Sequence, residues 1–273
     1  MTQTIYVKEK LDTNEQTAIE ALRVSLEKKG IAHKLDLDYL AENKHTKHLL
    51  FWTDKQLTAY GVLTSYDPEE LEVTIMLEKS QPVFEQIIDS LYSYIEDKPM
   101  NQFVVILDHK HQIMQDYLAA ADCTYDFSEF YMTLSFEKFN QVDVTRVPLV
   151  SGETADAKEL GRFLNDGEDF ELAREDLERF LLYKKDDTIL SSLRIDESDN
   201  VFGIYGFVVK EQLRGQGIGR KVLTTALQDI MNNEPKKVYL EVETENANAV
   251  HLYQALGFEE QIQFDYYTFS KSK

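Results

Sequence analysis

A single cysteine in 273 residues, Cys123, leaves no intrachain disulfide and no cysteine-based metal site to consider. It lies in Leu118-Ala119-Ala120-Ala121-Asp122-Cys123, away from any catalytic pair, and reads as a core residue. Five prolines and 11 glycines are too few for a linker-rich or collagen-like chain. Positive charge is also short: Lys+Arg 29 against Asp+Glu 49 gives a formal charge of −20, a field that repels nucleic-acid phosphates and anionic membranes. No basic aromatic patch offsets it. No apolar run approaches the ~18 residues of a membrane span. Residues 1–6 lack the basic stretch and apolar core of a secretory signal. A soluble, cytoplasmic protein without nucleic-acid or membrane partners is expected. His111 near Asp108 and the His45–His48 pair fit no metal-ligand spacing, so no metal is expected either.

What is abundant is core material. With 43% hydrophobic residues, 15 Tyr and 15 Phe, the chain can build one large domain or two of ordinary size. Period-two runs predict strands at residues 4–7, 48–52, 57–63, 71–77 and 103–107, with a closing strand near 130–136. Helical spacing covers 18–26, 83–95 and a stretch through Ile113, Tyr117 and Leu118. The second half repeats this order. An opening strand falls at 147–150, helices at 153–164 and 174–182, and strands at 188–195 and 201–209. A helix from about Gly217, a strand at 237–242, a helix at 249–256 and an edge or closing strand at 264–269 follow. The pattern implies an α+β fold in two related halves, residues 1–140 and 145–273, with the boundary within 138–146. That boundary has too little Gly, Pro or Ser for a long flexible tether.

The run Gln212-Leu213-Arg214-Gly215-Gln216-Gly217-Ile218-Gly219-Arg220 follows the strand Phe207-Val208-Val209 and opens a helix. Three glycines keep the backbone accessible there, so the N–H groups of residues 214–219 can turn toward an anion, with Arg214 and Arg220 beside them. Neither the dinucleotide spacing Gly-x-Gly-x-x-Gly nor the Gly-Lys-Ser/Thr of a P-loop is present. Taken alone, the run could equally be a tight glycine turn between two solvated arginines. A second run, Asn246-Ala247-Asn248-Ala249-Val250-His251-Leu252-Tyr253-Gln254-Ala255-Leu256-Gly257-Phe258, places a tyrosine where it could face the same ligand.

Together the two runs resemble the GCN5-related N-acetyltransferase (GNAT) superfamily. Arg214-x-x-Gly217-x-Gly219 is similar to its coenzyme A pyrophosphate motif, and Asn246-x-x-Ala249-x-x-Leu252-Tyr253-x-x-x-Gly257-Phe258 to its later cofactor-side motif. The specific match covers about residues 205–260 and the broader order of elements 145–270. The resemblance implies an α/β/α-like mixed-sheet GNAT fold, in two tandem copies. It also implies backbone contacts from Phe207 and Val209 to a pantetheine arm, pyrophosphate held by residues 214–219, ordering of the cofactor region by Asn246, and Tyr253 near the sulfur. The first half departs from the pattern. At the corresponding loop it has Glu78-Lys79-Ser80-Gln81-Pro82, without glycines, and its later helix lacks the Asn-to-Gly-Phe arrangement. It is expected to pack against the second half or to shape the acceptor entrance.

The implied reaction is acetyl transfer from acetyl-CoA to an amine, small molecule or polypeptide, by direct attack, which needs no Ser-His-Asp arrangement. Tyr253 can protonate the leaving sulfur or can simply pack on its helix. Glu241 and Glu243, with Tyr239, share one strand face and are candidate bases, or else solvated carboxylates. His251 reads as an exterior helical residue. The acidic stretch Glu153, Asp156, Glu159, Asp166, Glu168, Asp169, Glu171, Glu175, Asp176 and Glu178 has only Lys158, Arg162, Arg174 and Arg179 against it. It could attract a cationic amine or be an ordinary solvated face. A coenzyme A-binding sensor or interaction module without turnover is the alternative from another class. Monomer and homodimer both remain open.

Overall fold

The computed structural model describes residues 2–34, 46–65, 67–78, 80–139, 143, 145–165, 167–168, 172 and 174–271. His45, Lys79, Asp166, Asp169, Glu171 and part of the expected boundary at 138–146 lie outside the described residues, as does the Glu175 side chain. The chain runs β1 (Gln3–Lys8), α1 (Thr13–Lys28), β2 (Thr46–Thr53), β3 (Gln56–Thr64), β4 (Glu70–Leu77), α2 (Gln81–Ile95), β5 (Gln102–Asp108), α3 (Gln112–Leu118) and β6 (Thr124–Leu134). After a short α4 (Phe136–Phe139) come β7 (Val150–Ser151), α5 (Ala157–Leu164), α6 (Arg174–Leu177), β8 (Phe180–Lys185), β9 (Thr188–Ser198), β10 (Val201–Val209), α7 (Ile218–Met231), β11 (Lys237–Glu243), α8 (Ala247–Ala255) and β12 (Phe258–Ser270).

Compactness divides the chain differently from the linear order of its elements. One unit is Met1–Glu129 with Ile262–Lys273, the other Phe130–Gln261. In the first unit the strand order is β1-β2-β3-β4-β5-β12-β6. Its β4–β5 pair is parallel, and α2 supplies the crossover that a parallel pair needs. Asp12 and Glu15 close a capping box that starts α1. Ile19, Leu22 and Leu26 of α1 bury against Leu50, Tyr60, Val62 and Met76 on one sheet face. Residues of α2 and α3 bury against the other face, with Val73, Phe103 and Phe269.

The run 264–269, expected at an edge or closing the second half, is an inner strand of the first unit. Residues 264–270 pair with β5, and β6 flanks them on the other side. Asp265, 2% exposed, fastens the inserted strand. Its carboxylate accepts from Ser128 Oγ at 2.6 Å and Gln115 Nε2 at 2.7 Å, and lies 2.8 Å from His109 Nδ1. A buried carboxylate persists only when its lone pairs are met in this way. The strand expected near 130–136 begins earlier, at Thr124, and from Phe130 onward belongs to the second unit, where Met132 and Leu134 are core residues.

In the second unit β6 is followed by β11, β10, β9, β8 and β7, with β10–β11 parallel. Helices α7 and α8 cover one face through Val222, Leu223, Leu227 and Val250. On the other face Leu160 of α5 and Leu177 of α6 pack with Phe180, Leu182 and Ile189. Two expectations are corrected here. The helix expected over 174–182 stops at Leu177, and β8 begins at Phe180. Phe180 and Leu182 face α5 while Leu181 and Tyr183 face the opposite core, so this strand is apolar on both sides and its Leu177/Phe180/Leu181 spacing imitates a helix. The opening strand shrinks to Val150–Ser151. Pro148 has no N–H for a ladder, and the Val147 N–H goes instead to Thr225 Oγ1 on α7, at 3.1 Å.

Burial holds the pKa of His48 below its usual 6.5, with its Nδ1 at 2.9 Å from the Tyr60 hydroxyl. The folded chain therefore resists a proton that the unfolded chain accepts, and stability is expected to fall as pH drops below about 6.5. Thermal unfolding at pH 7.5 and 5.5 checks this. His48→Gln, which cannot titrate, should narrow the gap between the two melting temperatures, with the remainder due in part to His33, shifted the same way by burial. An unchanged gap would remove His48 from the account.

Candidate functional site

Two parallel strands of the second unit separate partway along their length. Residues 201–204 of β10 pair with residues 237–240 of β11, the last pair being Ile204 with Leu240, yet β10 continues to Val209 and β11 to Glu243. At the same point β10 carries a bulge against β9: Tyr205 faces Arg194, but the next aligned pair is Val208 with Ser192. Gly206, at φ +53°, takes the left-handed conformation that the extra residue requires. A side chain there would meet the Phe180 ring at 3.1 Å. The bulge reverses the alternation of side chains. Tyr205 points toward Arg194 and Tyr239 on the α5 side, whereas Phe207 points toward Gly219 and Tyr253 on the α7–α8 side. Beyond the last pair the β10 backbone is no longer in register with β11.

The glycine run follows the end of β10 and leads into α7. A 3₁₀ turn, Glu211–Leu213, leads to Arg214, and Gly215 (φ +73°) and Gly217 (φ +78°) then adopt left-handed conformations that side chains rarely take. Nothing lies within 4 Å of where a Cβ would stand on either residue, so the turn is open. Gly217 is the N-cap of α7 and offers no side-chain cap, which leaves the first-turn amides of the helix to other acceptors. Gly219 is glycine for another reason. A Cβ there would lie 3.2 Å from Phe207 Cζ and 3.3 Å from both Leu252 Cδ2 and Val209 Cγ2. Arg214 donates from Nε to the Val209 carbonyl at 3.0 Å, tying loop to strand, and Gln216 Nε2 donates to Gln212 O at 2.9 Å. Arg220 is exposed, and Ile218 half-buried. A helix start with open amides and two adjacent arginines is a favourable place for a phosphate.

Tyr253 lies on α8. It is 7% exposed, its ring 6.4 Å from that of Phe207 and 5.9 Å from that of Phe258. Burial pushes its pKa up to about 12, so the phenol keeps its proton throughout the neutral range. Asn246 is the N-cap of α8, its Oδ1 accepting from the Ala249 N–H at 3.2 Å, and so it orders the helix that carries Tyr253. Val238, Leu240 and Val242 of β11 are core residues; Tyr239 and Glu241 are half-buried on the opposite face, and Glu243 is exposed at the strand end. His251 is exposed.

The acidic segment is less available than its composition suggests. Asp156 pairs with Lys184 at 2.6 Å, Glu159 accepts the Ile189 N–H at 3.0 Å, and Asp176 and Glu178 lie beside Arg179 and Arg174. Among the described residues no group of three or more His, Cys, Asp and Glu is placed to hold a metal, and no helix is long and apolar enough to cross a membrane. In the first unit β4 pairs regularly with β3 to its end, Leu77 facing Ala59, with no bulge. Glu78 then forms an ion pair with Lys29, and Pro82 opens α2. Among the described residues of the first unit, neither the glycine turn nor the re-aimed strand of the second unit is repeated.

The bulge, the parting strands and the Gly203–Tyr205–Tyr239 arrangement beside them were not anticipated from the sequence. Two glycines inside a strand, Gly203 and Gly206, were the available signal.

Residues 149–258 match the family model "Acetyltransferase (GNAT) family". A 64-residue stretch is 38% identical to a mycothiol acetyltransferase of Corynebacterium kroppenstedtii, covering 23% of this chain and 18% of that protein. An 80-residue stretch is 34% identical to an uncharacterized N-acetyltransferase of Bacillus subtilis, covering 29% of this chain and 32% of that one. The matches therefore span less than a third of either relative. Among solved structures, a GCN5-related N-acetyltransferase from Sphaerobacter thermophilus superposes with a TM-score of 0.79 at 13% identity, over 98% of this chain and 96% of that one. A tandem GNAT protein from the clavulanic acid biosynthesis pathway gives 0.75 at 10% identity, over 100% and 99%. At such identities the likeness is one of fold: the chain folds as two tandem GNAT-like domains, and its second half carries the acetyltransferase family model.

Proposed function

We propose that the second domain of this tandem GNAT-like protein transfers an acetyl group from acetyl-CoA to a primary amine by direct attack. The observation that carries the reading is the re-aimed β10. One bulge turns Phe207 toward Tyr253 beside an open glycine turn, and the strand runs on past its last pair with β11. The amides of Gly215, Gln216, Gly217, Ile218 and Gly219 would hold the pyrophosphate, flanked by Arg214 and Arg220. The backbone of Phe207, Val208 and Val209, which runs on past the last pair with β11, would take the pantetheine arm, the Val209 carbonyl also accepting from Arg214. The bound donor supplies a thioester. The amine nitrogen attacks the carbonyl carbon, the C–S bond breaks, and a Tyr253 proton passes to the departing sulfur. Glu241, on the face opposite α7 and α8, accepts the proton that the nitrogen loses; Glu243, exposed at the strand end, is the less protected candidate. The first domain, without the glycine turn, has a structural or acceptor-shaping role in this reading.

Tyr253→Phe separates binding from chemistry. Acetyl-CoA affinity should stay within about two-fold of the parent, while kcat for thiol release with a primary-amine panel should fall on the order of 100-fold, as for a lost general acid. Because the phenol titrates near 12, the parent rate should show no loss from Tyr253 ionisation between pH 7 and 10. A Phe variant turning over at the parent rate would strip Tyr253 of its role. Acetyl-CoA binding by the parent without transfer to any amine would favour a coenzyme A sensor.

A further inference from the structure

On the side of β10 away from Tyr253, two phenols meet across the strands just where those strands part. Tyr205 and Tyr239 hydroxyls lie 2.7 Å apart, next to the last backbone pair, Ile204 with Leu240. The meeting depends on an absent side chain. A Cβ on Gly203 would stand 2.6 Å from Tyr205 Cε2 and 2.8 Å from both Tyr239 Cζ and its hydroxyl oxygen, so only glycine leaves room for both rings. The Arg194 guanidinium lies over the Tyr205 ring at 5.0 Å and is itself held by Asp196 at 3.1 Å, while Lys237 lies 5.6 Å from the Tyr239 ring. A cation thus lies over each ring, with the Tyr131 ring also 5.4 Å from that of Tyr239, and the pair can present its hydroxyl edge to a ligand. Burial and then the Tyr239 hydrogen bond favour the protonated Tyr205 phenol, and Glu241, two residues beyond Tyr239 on the same face, adds its charge to them.

Resting on the acetyl-transfer reading, we propose that Tyr205 and Tyr239 are positioning residues for the acceptor amine. A Tyr205 oxygen lone pair accepts a hydrogen bond from an acceptor N–H, Tyr239 fixes the Tyr205 hydroxyl, and the nitrogen lone pair is thereby turned toward the thioester carbonyl. The amine that fits is a neutral primary amine that can donate sideways to a phenol. A quaternary or fully substituted nitrogen has no N–H to donate and is excluded. In the transfer the N–C bond forms and the C–S bond breaks. The nitrogen's proton goes to Glu241 and the sulfur takes one from Tyr253, so both wall phenols keep theirs.

The experiment uses the full chain, acetyl-CoA and a panel of short alkylamines, diamines, aminosugars and amino-acid amides, scored by thiol release, with acetyl-CoA affinity measured separately. For the panel amine used best by the parent, Tyr205→Phe and Tyr239→Phe should each raise the amine KM about ten-fold, as for one lost hydrogen bond, with acetyl-CoA affinity unchanged. Gly203→Ala, which pushes the phenols apart, should reproduce this. A role confined to clamping the strands would lower the melting temperature and leave the amine KM at the parent value; that result in the two isosteric Phe variants overturns the inference alone. A parent chain that binds acetyl-CoA but transfers to no amine overturns the reading beneath it.

Discussion

Removing residues 262–273 is expected to unfold the first domain, although the cut lies more than 100 residues beyond its other strands. Residues 264–270 fill the gap between β5 and β6, and Phe264, Tyr266 and Phe269 are buried there at 2%, 6% and 1% exposure. At about 2 kcal/mol per buried aromatic side chain the loss is on the order of 6 kcal/mol. That is comparable with the whole stability of an ordinary domain, about 5–15 kcal/mol. Two inner strand edges would also lose their backbone partners. Asp265→Leu should act in the same direction more mildly, by leaving Ser128, Gln115 and His109 facing a side chain that accepts nothing. Hydrogen exchange reports the outcome region by region. Protection of β2 to β5 should vanish in the truncated chain, and its persistence would mean that the inserted strand is dispensable. The same strand exchange sets where a deletion can fall. A second domain begun after Glu129 keeps Met132 and Leu134, whereas one begun after 138 loses both from its core.

The second large effect is expected in the glycine turn, where two residues fail for different reasons. Gly217→Val places a β-branched side chain at φ +78°, in open space; the cost is conformational, about 1–2 kcal/mol, and relaxing it turns the helix-start amides away from their ligand. Gly219→Val places methyls where even a Cβ is already within 3.3 Å of Phe207, Leu252 and Val209, and overpacking of about 1–3 kcal/mol shifts the wall of the site. Both variants should remain folded by circular dichroism and lose acetyl-CoA affinity, on the order of 10–100-fold for each, by calorimetric titration. Gly30→Val in the first domain is the control. It meets the same left-handed strain at φ +67° with nothing within 4 Å, and should lower the melting temperature without changing acetyl-CoA affinity. Equal affinity losses at all three positions would mean that general instability is being measured.

Local periodicity made most elements legible, since a half-buried strand or helix writes its face into the sequence. Apolar residues recur every three to four positions over 83–95, as a helix requires, and α2 occupies 81–95. Failures came where a face was not polar or where the partner was remote. β8 is buried on both sides and so imitated a helix. The early part of β6 is exposed, with Tyr125 at 50%, and gave no alternation to read. The exchange of β12 into the first domain could not be read at all, because a strand's own pattern states which face is buried and not which neighbour it pairs with. The candidate site divides similarly. Glycine spacing exposed the open turn, and the Asn246-to-Phe258 run exposed Tyr253, because backbone demands of this kind fall on particular residue types. The phenol pair needed the bulge at Gly206 to become visible, and that bulge follows from the register between β10 and β9.

A structure of the full chain with acetyl-CoA tests the central claim most directly. The pyrophosphate should lie on the amides of residues 215–219, the pantetheine arm along residues 207–209, and the thioester sulfur within hydrogen-bond reach of the Tyr253 hydroxyl. Density for the cofactor at the start of α2, or anywhere that leaves the Gly215–Gly219 amides uncontacted, would contradict it.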